Sequence, residues 1–235
     1  MPCETMPFRS RKLPTTTRLT ITRWKPAGVA ALVFLAIFAA QAETLDRIAV
    51  TVGRHVITEG DVLLDLRVSA FLDGKTPDLS GAAKRKAAAR LVDLYMVLED
   101  ATATRAPVPS AAEVAALLEP VRARYASDSD YLLALARAGI SENDLKAHLL
   151  AGLRMMRYTD LRFRPEVQIT DQDLRDAFGA LAAKQPSGAP APSFESSRSQ
   201  LEELLMNQRV LETLDRWLAM TRTDTQIRYK DAAFQ

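Results

Sequence analysis

At several points along this chain a serine or threonine is followed three positions later by an acidic residue, and four of those pairs are read as helix starts, each leading into a run of apolar residues spaced by three and four. The pairs are Thr58 with Asp61, Ser110 with Glu113, Ser141 with Asp144, and Thr170 with Asp173. In such a box the hydroxyl accepts from the backbone N–H three residues on and the carboxylate accepts from the backbone N–H of the hydroxyl residue, so donors that a helix start leaves orphaned are satisfied by the sequence itself. Ser80 is a fifth candidate cap. A chain punctuated this way is confined to a succession of medium-length helices from Thr58 to about Leu181.

The apolar spacing fills in those helices. The helix after Ser80 carries Leu91, Leu94, Tyr95 and Leu98 on one stripe, the next carries Val114, Leu117, Val121 and Tyr125, and the Ser141 helix carries Leu145, Leu149, Leu153 and Met156; each is read as a core stripe. Pro107 and Pro109 break the chain before Ser110, Gly139 stands where a helix end favours a left-handed residue, and Pro165 ends the Ser141 helix.

Two segments have the period of a strand. In residues 48–57, Ile48, Val50 and Val52 alternate and Gly53-Arg54 stands where a hairpin turn needs a permissive residue. Residues 226–230 alternate around Ile227 and Tyr229 after a helix at 194–222 that presents Leu201, Leu204, Leu205, Leu211, Leu214 and Leu218 inward. A hairpin alone is marginal, so the last strand is expected to pair with it and bring the two ends of the domain together. Residues 185–193, rich in proline, serine and alanine, read as a linker before the closing helix.

The first 42 residues belong to none of this. Six basic residues precede an apolar stretch at 27–40, and Ala40-Gln41-Ala42 offers small residues at a cleavage site, the three parts of a secretory signal. The stretch is shorter than the roughly 18 to 20 residues that span a bilayer. Cleavage before Glu43 is expected, leaving a single domain at 43–235, periplasmic or otherwise exported, with no permanent membrane span. It would hold 25 basic and 28 acidic residues and no cysteine, because Cys3 lies in the signal. A net negative domain argues against nucleic-acid binding, and Lys84-Arg85-Lys86 reads as a solvated helical face.

Over the rest of the chain the order and wording of the segments resemble a known family. LDRIAVTVGRHVITEGDVLLDL at 45–66, ARLVDLYMVLEDATA at 89–103, the run from Tyr131 to Phe178, and the closing segment from Ser193 with its Trp217-Leu218 pair and Ile-x-Tyr strand are similar to the SurA-like N-terminal module of periplasmic peptidyl-prolyl isomerases and chaperones. The resemblance implies a mostly α fold, a multi-helix SurA/trigger-factor-like peptide-binding domain with a small β-hairpin and a C-terminal strand. Members often carry a parvulin isomerase domain before the closing helix, whereas here Pro165 and Ser193 are only 28 positions apart. The family's catalytic residues therefore have no positions to occupy.

The expectation is a non-catalytic, ATP-independent holdase for unfolded outer-membrane or secreted proteins, with no cofactor and no metal. A residual isomerase and a dedicated partner-binding subunit are its rivals. Met155, Met156, Tyr158 and Phe163 are the candidate peptide-binding residues, methionine being adaptable enough to meet many apolar segments; core filling is the competing explanation. His55 and His148 are 93 positions apart and are not expected to share a metal. Asp171, Asp173 and Asp176 are read as helix-start carboxylates opposing the dipole.

Overall fold

A computed structural model describes residues 46–183 and 193–234; the signal expected at 1–42 and nearly all of the linker lie outside them. The described residues are mostly helical, with seven α-helices and a small three-stranded antiparallel sheet.

Two strands, β1 (Ile48–Val52) and β2 (His55–Thr58), form the hairpin, and β3 (Ile227–Tyr229) pairs with β1 from the other side, giving the order β2-β1-β3. The turn rests on Gly53 at φ +58, and its N–H donates to the Gln226 carbonyl at 2.9 Å. Arg47 reaches the Ala232 carbonyl at 2.8 Å, so the two ends of the domain do meet. The expected alternation fails at one residue. The register slips between Ile48 and Val50, a bulge that turns Ala49 into the core and leaves Ile48 exposed.

The helices are α1 (Glu59–Leu72), α2 (Gly81–Ala103), α3 (Ala111–Arg122), α4 (Asp128–Ala138), α5 (Glu142–Phe163), α6 (Asp171–Ala182) and α7 (Phe194–Asp224). All four boxes form with both hydrogen bonds, at the starts of α1, α3, α5 and α6. Ser80 caps α2, accepting from Ala83 N–H at 3.3 Å. Ser127 caps α4, a helix the apolar stripes did not separate, and Ser193 caps α7. Gly139 ends α4 at φ +66. After Phe163 the chain tightens through a short 3₁₀ turn at Arg164–Glu166 that contains Pro165.

Two apolar clusters hold these elements. The larger joins the sheet to α2, α5 and α7 through Val50, Val52, Val92, Tyr158, Leu214 and Leu218. The smaller joins α1 to α3, α4 and the start of α5 through Val68, Leu118, Tyr131, Leu135 and Leu145. No described helix is long and apolar enough to cross a membrane.

Several stripes are rotated from their expected facing. On α3 it is Leu118 that is buried, and Leu117 is exposed. On α7 Val210 joins Leu201, Leu214 and Leu218 inside, whereas Leu204 and Leu211 face outward. On α2 the buried side chains are Ala87, Ala88, Val92, Met96, Val97, Ala101 and also Lys84, which pairs with Glu59 at 2.9 Å and so does not share the solvated face expected of Lys84-Arg85-Lys86, while the stripe Leu91-Leu94-Tyr95-Leu98 is only half-buried.

Candidate functional site

That half-buried stripe is the wall of a groove. The inner face of α2 packs Val92, Met96, Val97 and Ala101 into the core, and the large side chains of the neighbouring face stand over a gap toward α1 and α5. Val56 and Ile57 of β2, Leu64 of α1 and Ala147 and His148 of α5 complete a cavity of about 370 Å³. A second depression shares Tyr95 and Leu98 and runs on past Glu99 and Thr102 to Arg154. Together they make a trench along α2 from Leu91 to Ala103, about 18 Å at a rise of ~1.5 Å per residue, and its walls are mainly apolar.

The two histidines, far apart in sequence, both line this cavity. His55 stacks on Tyr95 with ring centroids 4.0 Å apart and planes 6° from parallel. His148 is about one-third exposed, and its Nδ1 stands 3.7 Å from Asp65 Oδ1. Burial holds the His148 imidazole below its ordinary pKa; Asp65 opposes that shift and Arg90 adds to it. Asp65 is itself 10% exposed and takes an ion pair from Arg90 at 2.6 Å.

The remaining carboxylates of the cavity, Asp61 and Asp144, serve the boxes that start α1 and α5. Hydrogen bonds from Ser141 hold the Asp144 carboxyl below the usual range. No serine, threonine, cysteine or lysine lines the cavity, and its one hydroxyl is the phenol of Tyr95, whose ring stacks on His55. Among the described residues no group of three or more histidine, cysteine, aspartate or glutamate side chains gathers to hold a metal ion.

The four candidate peptide-binding residues divide. Tyr158 and Phe163 belong to the larger core, 4% and 3% exposed. The Tyr158 hydroxyl donates to Asp100 at 2.6 Å, and Phe163 packs against Trp217 with centroids 6.0 Å apart. Neither is presented to a ligand, because α5 turns them toward α2 and α7. Met155 and Met156 lie in a second groove, of about 520 Å³, between α5 and α7. Their facing is the reverse of the expectation: Met155 is half-buried against the core and Met156 is 58% exposed. Leu211 and Leu204 of α7 are almost equally exposed, and an ion pair of Arg164 with Glu203 at 2.6 Å closes the groove's rim.

The trench escaped the sequence reading because α2 offers two adjacent apolar stripes, and only the sheet decides which one is covered. Leu91, Leu94, Tyr95 and Leu98 were visible as a stripe, but nothing local marks a stripe as a wall instead of a core. No protein-family model matches the chain, and no curated protein matches its sequence.

Proposed function

We propose that this domain is an ATP-independent holdase that acts after export, with no chemical step of its own. It takes extended apolar stretches of unfolded outer-membrane or secreted proteins into the trench along α2, lowering the concentration of chain that can aggregate. The observation that carries this reading is an open, mainly apolar channel about 18 Å long, set between capped helices, whose cavity half has no serine, threonine or cysteine in its lining. Surface of that kind is long enough for a few residues of extended chain and offers them mainly apolar walls. The resemblance of the segments at 45–66, 89–103, 131–178 and 193–231 to the SurA-like module points the same way.

The experiment is suppression of aggregation of an unfolded outer-membrane protein by the purified chain, with proline isomerisation assayed on the same sample. Suppression at near-stoichiometric ratios without ATP or isomerisation supports the reading. Catalysis of isomerisation overturns it, as does the absence of any suppression.

A second reading has its own observation. Leu211 lines the α5–α7 groove with Met156, and Leu204 stands two turns before it on the same face of α7; all three are exposed. A dedicated subunit that holds one partner would use such a face, and a single stoichiometric partner in a pull-down, lost when Leu211 is charged, would favour it.

A further inference from the structure

The trench is bordered by a strand with one side free. In the order β2-β1-β3, β2 has a single neighbour among the described residues. The direction of its backbone groups follows from the register. Gly53 donates to Gln226 and Lys230 donates to Ala49, so Ala49, Thr51 and Gly53 turn their hydrogen-bonding groups toward β3. Val50 and Val52 then turn theirs toward Ile57 and His55, their partners on β2. By the alternation of an antiparallel ladder, the N–H and C=O of Val56 point away from β1. The Val56 side chain is 41% exposed.

The cavity's lining places this edge inside the site. His55, Val56 and Ile57 all line it. Successive residues of a strand face opposite sides of the sheet, so a cavity that meets three in a row runs along the strand's edge.

Charge narrows the occupant. The lining of this cavity includes Asp61, Asp65 and Asp144 and no lysine or arginine, and the further half of the trench adds one charge of each sign, Glu99 and Arg154, so the whole trench stays acidic. Arg90 answers Asp65 from outside the lining. The hydrogen bonds that Asp61 and Asp144 make to Thr58 and Ser141 run through Oδ2 alone, which leaves Oδ1 of each for a cation. An acidic peptide would be repelled here and a basic one favoured.

We infer that β2 is a docking strand, and that the occupant is an extended client segment of alternating apolar and basic residues, added to the sheet at the Val56 edge. This rests on the holdase reading and specifies how that site recognises its clients. Main-chain hydrogen bonds hold any such sequence, apolar side chains enter the trench, and lysine or arginine meets Asp61 and Asp144.

The test uses the full chain and a fluorescent peptide of roughly six residues, the length that covers the trench at ~3.3 Å per residue, with leucine and lysine alternating. Two counterparts are compared with it: one with glutamate for lysine, and one fully N-methylated, which keeps its side chains but donates no backbone hydrogen bond. Each counterpart is expected to bind roughly tenfold more weakly or worse, a difference of ~1.4 kcal/mol. Val56→Pro, which removes the edge N–H, is expected to weaken the parent peptide alike, with circular dichroism as the check on folding. Equal binding of the N-methylated and parent peptides overturns the inference even where aggregation is still suppressed, and the holdase reading then stands without it. Pairing of β2 with a second copy, seen as a dimer that Val56→Pro dissolves, also overturns it. Failure of the chain to suppress aggregation at all removes the holdase reading itself.

Discussion

His148 Nδ1 stands 3.7 Å from Asp65 Oδ1, while Arg90 holds the other oxygen of that carboxylate at 2.6 Å. Two potential cations thus face one carboxylate across the trench, and the arginine has the better geometry. A protonated His148 would gain only a shared, long contact with Asp65 and would lose water, so burial prevails over attraction and its pKa falls below the ordinary value of 6.5.

The sign of the pH dependence follows. In the unfolded chain His148 takes up its proton near 6.5; in the folded chain it does so at a lower pH. Between the two the unfolded state holds more protons, so each step down in pH favours unfolding. The urea midpoint of the wild-type chain is expected to fall as pH drops through 6.5, and His148→Gln is expected to flatten that fall. A His148 titration by NMR that gives a value above 6.5 would contradict this.

Gly81 is the first residue of α2, and a Cβ built on it would meet the Phe234 carbonyl oxygen at 2.2 Å. In an exposed helix interior, alanine in place of glycine gains about 1 kcal/mol. Here the clash is with the backbone of Phe234, whose side chain is buried in the larger core, so that backbone cannot swing aside as a flexible side chain would. Gly81→Ala is therefore expected to lower the thermal midpoint and to loosen the turn at Asp231–Phe234, seen as faster amide exchange there. An unchanged or raised midpoint would mean the turn is held weakly.

How far the sequence could be read depended on whether a signal was local. The boxes at Thr58, Ser110, Ser141 and Thr170 form as read, because each is complete within four residues. Ser127 with Asp130 carries the same local signal at the start of α4, and attention to it would have separated that helix. Facing was harder. Met155 and Met156 differ by 100° on the helix, and the side that faces the core is set by where α7 lies, which no spacing on α5 records. That His55 and His148 line one cavity depends on β2, α2 and α5 arriving at one place, so their separation in sequence gave no hint of it.

Phe163 and Met156, both candidates for peptide contact, are expected to separate cleanly in stability. Phe163 is 3% exposed against Trp217, and Phe163→Ala is expected to cost about 3–5 kcal/mol through lost burial and the cavity left behind. Met156 is 58% exposed, and Met156→Ala is expected to change stability by no more than ~0.5 kcal/mol. Urea denaturation of both variants measures this directly. A large cost at Met156 would show that the α5–α7 groove is closed in solution.

The two grooves can be set against each other in one assay. Leu98 is half-buried and belongs to both halves of the trench, so a charge there would place an unpaired carboxylate where an apolar client side chain would sit. Met156 occupies the corresponding position in the α5–α7 groove. Leu98→Glu is expected to abolish suppression of outer-membrane protein aggregation at ratios where the wild-type chain suppresses it, with the far-ultraviolet spectrum unchanged. Met156→Glu is expected to leave suppression within about twofold of wild type, since a surface substitution away from the contact has little to disturb. The opposite pattern, loss at Met156 and none at Leu98, would move the client site to α5 and α7 and with it the meaning of Leu204 and Leu211.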